Sequence, residues 1–220
     1  SPSTLFEAAS LGKPLFAMAV LQLVDRGLLA LDTPLSTYLS LPDVVSSRAR
    51  AITARHVLSH TTGLPNWRQQ PGPLEPSIQP GTAFTYSGEG VYYLQQVVEQ
   101  LTGEPIERYL QAHIFAPLGM TESTFVWQSA SEARMATGYD ERGEALEVYA
   151  DIGRKLAPLA AAWGKPMSEW MPADAARASA AAFPSLPTLP MYAVPNVAGS
   201  LLTSIGDYGR FVAAVLNESP

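Results

Sequence analysis

The 220-residue chain is 47% hydrophobic, enough to bury the core of one or two domains. A net charge of −6, with 14 Lys+Arg against 20 Asp+Glu and no basic run, excludes nucleic acid as an expected partner. The absence of cysteine excludes disulfides, zinc thiolate sites and thiol catalysis, and fits a periplasmic, secreted or cytoplasmic location equally well.

The chain opens at Ser1-Pro2, only a few residues ahead of Phe6-Glu7-Ala8-Ala9-Ser10-Leu11-Gly12-Lys13-Pro14, and so reads as a cut end with no signal peptide. Apolar residues at Leu15, Phe16, Ala19, Val20, Leu23 and Val24 recur at three- and four-residue spacing, which predicts a helix from Ser10 to Arg26 with a left-handed stop at Gly27. The run from Leu15 to Val24 is too short to span a bilayer. Pro14 fits near a helix start, where a missing N–H costs least. Ser10 and Lys13 then lie on one helical face and should touch. A serine hydroxyl needs a base within reach to act as a nucleophile, and a lysine serves only where burial or neighbouring charge lowers its pKa. A serine ahead of a helix is also a common N-cap, so two readings stand at this point.

Leu28 to Pro34 reads as a turn, and Pro34 opens a short segment through Tyr38-Leu39. A helix follows from the cap Thr53 to Gly63, with Val57 and Leu58 as core candidates. His56 and His60 stand four apart, but no Glu follows His56 and no third ligand is evident, so neither metal nor cofactor is expected. His60 is expected to fix the turn at Thr61-Thr62-Gly63 by hydrogen bonding. Residues 65–82 form a proline-rich loop, of a length that is often functional inside a compact domain. Phe84 to Gly90 is a turn entering a periodic helix with Leu94, Val97, Val98 and Leu101, stopped at Gly103. A further helix begins at Glu104-Pro105 and ends at Pro117-Leu118-Gly119-Met120. Tyr86 sits at a loop end, either as a half-buried aromatic or as a side chain projecting into a cleft.

Residues 141–195 mix Ala-rich and Pro-rich pieces with Trp163, Trp170, Met167, Met171 and Tyr192. They read either as a lid or substrate-binding insertion, or as a loosely packed helical excursion. The chain closes with Asn196 to Phe211 and a helix through Leu216, capped by Ser204 with Asp207 in its first turn.

Five pieces, in order, resemble the serine β-lactamase-like hydrolases, the branch holding class C β-lactamases, D-Ala-D-Ala carboxypeptidases and β-lactamase-fold esterases. They are Phe6–Lys13, His60–Pro65, Phe84–Gly90, Pro117–Met120 and Ala198–Phe211. The resemblance implies that Ser10 is the acylated nucleophile, Lys13 its activator and Tyr86 a phenol that relays the proton. It makes Ser87, Gly88 and Gly199 the expected substrate-binding positions. Gly88 stands where the tyrosine motif usually ends in asparagine, which leans towards an esterase or peptidase-like member. The family's third motif, a Lys- or His-x-Gly on a strand, is absent.

The expected fold is therefore mainly α: the helical region of the α+β β-lactamase/transpeptidase-like fold, as a single partial domain over residues 1–220 with most of the antiparallel sheet absent. The expected function is a serine hydrolase acting through an acyl-enzyme on an ester, peptide or β-lactam amide. The alternative is a non-catalytic penicillin-binding-like fragment or binding module. A small-molecule or peptide substrate is the expected partner, with self-association or a complementary sheet segment covering the apolar faces left without a sheet.

Overall fold

The computed structural model describes residues 1–146 and 148–217; Glu147, inside the 141–195 stretch, and residues 218–220 lie outside them. Helix α1 (Gly12–Asp25) buries Leu15, Phe16, Ala19, Val20 and Leu23, the stripe that the spacing predicts. It begins two residues later than expected, so Ser10 lies on the turn before it rather than inside it. Pro14 is its third residue, among the N–H groups that have no intrahelical partner.

Short helices α2 (Leu35–Tyr38), α3 (Ser47–Arg50) and α4 (Ala54–Leu58) follow. Thr53 caps α4 reciprocally: its hydroxyl accepts from the His56 N–H at 3.3 Å, and His56 Nδ1 accepts from the Thr53 N–H at 3.2 Å. The helix ends at Leu58, short of the expected Gly63, because His60 enters the left-handed region at φ 53° and turns the chain back.

Helix α5 (Gly88–Thr102) runs through the centre, with Tyr92, Tyr93, Leu94, Val97 and Val98 buried together with Gln95 and Glu99. It stops where expected, with Gly103 at φ 70°. Helix α6 (Ile106–Leu110) continues into one π-helical turn at 111–115. The two buried acids here are satisfied. Glu107 accepts from the Phe125 N–H at 2.8 Å and the Thr124 hydroxyl at 2.6 Å. Glu99 accepts from the Ile106 N–H at 3.0 Å, and burial pushes its carboxyl up to about 8.

Two short strand pairs accompany the helices, in keeping with a mainly α chain. Strand β1 (Leu5–Ala9) pairs antiparallel with β4 (Leu201–Ser204), in the register Leu5 to Ser204 and Glu7 to Leu202, with an irregularity between Glu7 and Ala9. Strands β2 (Gly138–Tyr139) and β3 (Ala145–Leu146) form a small exposed hairpin. The β1–β4 pair joins the two ends of the chain and so sets where the Ser10 turn meets the Ala198 turn.

Helices α7 (Val148–Trp163) and α8 (Pro172–Ala182) give the 141–195 stretch a packed core of its own. Leu156, Trp170 and Ala178 join Leu5, Trp127 and Leu202 there. Gly153 lets α7 press onto Trp127, since a Cβ at that position would fall 2.1 Å from the indole. Helix α9 (Ile205–Leu216) is capped by the Ser204 hydroxyl, which accepts from the Asp207 N–H at 3.2 Å.

Candidate active site

Ser10 sits on an elbow. Strand β1 ends at Ala9, which holds φ at 45°, a conformation costly for a residue with a Cβ. The chain then turns into α1, so the Ser10 hydroxyl stands exposed at the positive end of a helix dipole. The backbone bond from the Lys13 N–H to the Ser10 carbonyl, 3.1 Å, closes this turn and brings the two side chains together.

Lys13 Nζ donates to Ser10 Oγ at 2.8 Å and to the Ala198 carbonyl at 2.6 Å, and the Ser10 hydroxyl donates to that same carbonyl at 3.2 Å. Ala198 therefore orients both members of the pair. Burial lowers the Lys13 pKa, against the opposing effects of a hydrogen bond and charge from Tyr86. A lowered lysine spends more of its time as the neutral amine that can accept a proton.

Tyr86 completes the group, with Lys13 Nζ 4.8 Å from its ring centroid. Burial pushes its phenol up, but hydrogen bonding to Lys13 and Ser10 and the Lys13 charge outweigh this and leave its pKa below the ordinary value. An alcohol, an amine and a phenol thus stand together, and the pKa values of the amine and the phenol are both lowered.

His60 was expected to brace the 61–63 turn and does something else. Its Nδ1 accepts from the Ser87 N–H at 3.2 Å, and its ring lies 4.4 Å from the Tyr86 ring. Burial and the Lys13 charge lower its pKa, which disfavours the charged imidazolium. A left-handed His60 backbone is what turns the ring towards Tyr86, a feature that helical spacing does not reveal.

The three expected substrate-binding positions fall in different settings. Ser87 is buried; its hydroxyl accepts from the Gly90 N–H at 2.9 Å as the α5 cap and donates to the Pro65 carbonyl at 2.8 Å. Gly88 lies beneath Trp67: a Cβ there would meet Cζ2 of the indole at 2.5 Å. Gly199 borders the same ring, its notional Cβ being 3.9 Å from Trp67 Cζ2.

The turn carrying Ala198 is clamped from several sides. Gln95, inside α5, accepts from the Val197 N–H at 2.9 Å and donates to the Pro195 carbonyl at 3.1 Å. Asn196 accepts from the Ala198 N–H at 2.9 Å, and the Ser200 hydroxyl donates to the Phe125 carbonyl at 2.8 Å. The proline-rich loop bearing Trp67 is held in turn by Arg68, which reaches Glu89 at 3.1 Å and Asp43 at 2.7 Å. His60 and Ala198 open two of the five recognisable pieces, but their contacts within the site, and the parts played by Gln95 and Trp67, are not marked by any motif in the sequence. Among the described residues, no group of three His, Cys, Asp or Glu side chains could hold a metal ion.

A family model described as Beta-lactamase matches residues 1–219. A putative penicillin-binding protein, PbpX of Bacillus subtilis, is 32% identical over 155 residues, covering 65% of this chain and 38% of the relative. Esterase EstB of Burkholderia gladioli is 34% identical over 170 residues, covering 63% and 42%. The chain thus spans less than half the length of these two relatives. Among solved structures, a class C beta lactamase superposes with a TM-score of 0.68 at 21% identity, over 100% of this chain and 53% of the other. An octameric penicillin-binding protein homologue from Pyrococcus abyssi gives the same TM-score and identity, over 100% and 46%.

Proposed function

The chain belongs to the Beta-lactamase family, and from that premise we propose that it carries the nucleophile of a serine hydrolase that works through an acyl-enzyme. The observation that carries this reading is the 2.8 Å contact between Lys13 Nζ and Ser10 Oγ, with Tyr86 beside both. Ser10 Oγ attacks the substrate carbonyl while its proton passes to the Lys13–Tyr86 pair. The Ser10 backbone N–H, at the head of α1, supplies one donor to the oxyanion that forms. The pair then protonates the departing alcohol or amine. In the second half, water gives its proton to the same pair, attacks the acyl carbonyl and frees Ser10.

Among an ester, a peptide and a β-lactam amide, the site favours an ester. Where the family's tyrosine motif commonly carries an amide side chain, Gly88 carries none and Trp67 covers it. We read the 141–195 stretch as a contributor to substrate binding, a reading supported by the packing of Trp67 against the cluster of Tyr92, Ala175 and Ala193. Of the two relatives, one is named an esterase and the other a putative penicillin-binding protein.

The test is pre-steady-state turnover of an activated ester by the protein that contains this chain. An acyl-enzyme route gives a burst of the alcohol equal to the enzyme present, followed by slower turnover. Hydrolysis with no burst and no acyl mass adduct under any condition contradicts the reading.

A further inference from the structure

Tyr86 is gripped on both sides of its backbone by one residue. The His60 carbonyl accepts from the Thr85 N–H at 2.7 Å, and His60 Nδ1 accepts from the Ser87 N–H at 3.2 Å. Between those two bonds the imidazole lies against the phenol ring, with centroids 4.4 Å apart and planes tilted by 30°. Phe84 packs on the same imidazole at 73°, 5.9 Å away. His60 holds its left-handed backbone, φ 53°, at a cost that the surrounding contacts must offset. A cavity of about 160 Å³, lined by Lys13, Pro14, Phe16, Val57, His60 and Val91, borders the imidazole, so close packing on that side does not fix the ring.

Resting on the serine-hydrolase reading, we propose that His60 is the positioning residue for Tyr86: its carbonyl and its imidazole together hold the phenol beside Ser10 and Lys13. Proton relay needs the phenol oxygen within hydrogen-bond reach of its partners, and a misplacement of about 1 Å can cost on the order of 10²-fold in rate. Fixing the residues on either side of Tyr86 removes backbone freedom, and the imidazole against the ring restricts the side-chain torsions. The Nδ1 bond also sets the chemistry that position 60 must have: an acceptor attached at Cγ, on a residue that enters the left-handed region. Neutral histidine supplies this, and so does asparagine, whose side-chain oxygen is attached at the same carbon and which tolerates that backbone. A protonated imidazole does not, since Nδ1 would then point a hydrogen at the Ser87 N–H.

The experiment measures acylation of Ser10 by an activated ester in stopped flow, across pH, in the protein containing this chain. Wild type, His60→Gly, His60→Leu and His60→Asn are compared, each with Tyr86 and with Tyr86→Phe. Glycine suits the left-handed backbone, so His60→Gly removes the side chain without adding backbone strain. His60→Leu keeps bulk, lacks the acceptor and serves if the glycine variant does not fold. With Tyr86 present, both should slow acylation by about 10- to 100-fold. Both should also move the rising limb to higher pH, because a phenol drawn away from Lys13 and Ser10 loses the hydrogen bonds and charge that lower its pKa. His60→Asn should restore most of the rate and the wild-type limb; a folded His60→Asn that restores neither overturns the role. In the Tyr86→Phe background none of the three should slow acylation further, because His60 acts through Tyr86. Folded variants acylated at the wild-type rate with an unmoved limb, or an equal loss in the Tyr86→Phe background, overturn the positioning role while the hydrolase reading stands. If wild type is not acylated at Ser10, both fall together.

Discussion

At the residue scale, the site depends on what surrounds one lysine. A free ammonium beside Ser10 would only donate a hydrogen bond, but burial lowers the Lys13 pKa, and Lys13 in turn lowers that of Tyr86. On the proposed mechanism, the base that Lys13 and Tyr86 supply is lost as pH falls and they become protonated. The acylation rate should therefore rise with pH along a limb set below the ordinary range of a lysine or a phenol. Lys13→Ala removes the cation and leaves burial to push the Tyr86 phenol up. The rising limb should move to higher pH, and the rate near neutrality should fall by about 10²- to 10⁴-fold, the usual worth of a general base. Stopped-flow acylation across pH checks this; an unmoved limb in Lys13→Ala would make Lys13 a structural residue.

At the scale of elements, helix α5 does as much for the site as α1. Ser87 caps it, Gly88 opens it, and about two turns further on Gln95 grips Pro195 and Val197 in the segment leading into Ala198. Gln95→Leu leaves a buried N–H and a buried carbonyl without their partner, at a cost of about 1–3 kcal/mol each where no substitute is found. Acylation of Ser10 should slow by about tenfold, because a carbonyl that orients both nucleophile and base is no longer held in place. Circular dichroism separates this from unfolding: a folded variant acylated at the wild-type rate would show that the turn needs no clamp from α5. The helices themselves were legible in the residues. The stripe from Leu15 to Leu23, the cap at Thr53, the stop at Gly103 and the cap at Ser204 all follow from local chemistry. The strands were not. Leu5 to Ala9 shows no apolar alternation, and Leu201 to Ser204 is buried on both faces, so neither has a period of two to read. The pairing of β1 with β4 across nearly the whole chain is a tertiary fact that no local window holds.

For the whole molecule, the family match and the shared fold are clear, while the apolar surface raises a question of partners. Phe6 on β1 and Ile205, Val212, Val215 and Leu216 on α9 are exposed, Ile205 and Leu216 to more than 70%. When the chain is alone in solution, these faces should pair with a second copy of it. Light-scattering mass across a range of concentrations, with an exposed-surface dye, checks it. Self-association or strong dye binding is expected; a monomer at all concentrations that binds no dye would count against it. Ser10 and Lys13 were legible as a pair because they sit three residues apart in one turn. Trp67 was not, and the pieces opening at His60 and Ala198 were legible without their contacts, since these arise from loop geometry: a left-handed histidine, a glycine matched to an indole, a carbonyl whose turn is held by a distant glutamine. The central claim is that Ser10 becomes acylated. Intact-mass and peptide mapping of the protein containing this chain after treatment with a fluorophosphonate tests it directly. The account predicts a single adduct on the peptide bearing Ser10, absent in Ser10→Ala; an adduct that persists in Ser10→Ala, or none in wild type, would contradict it.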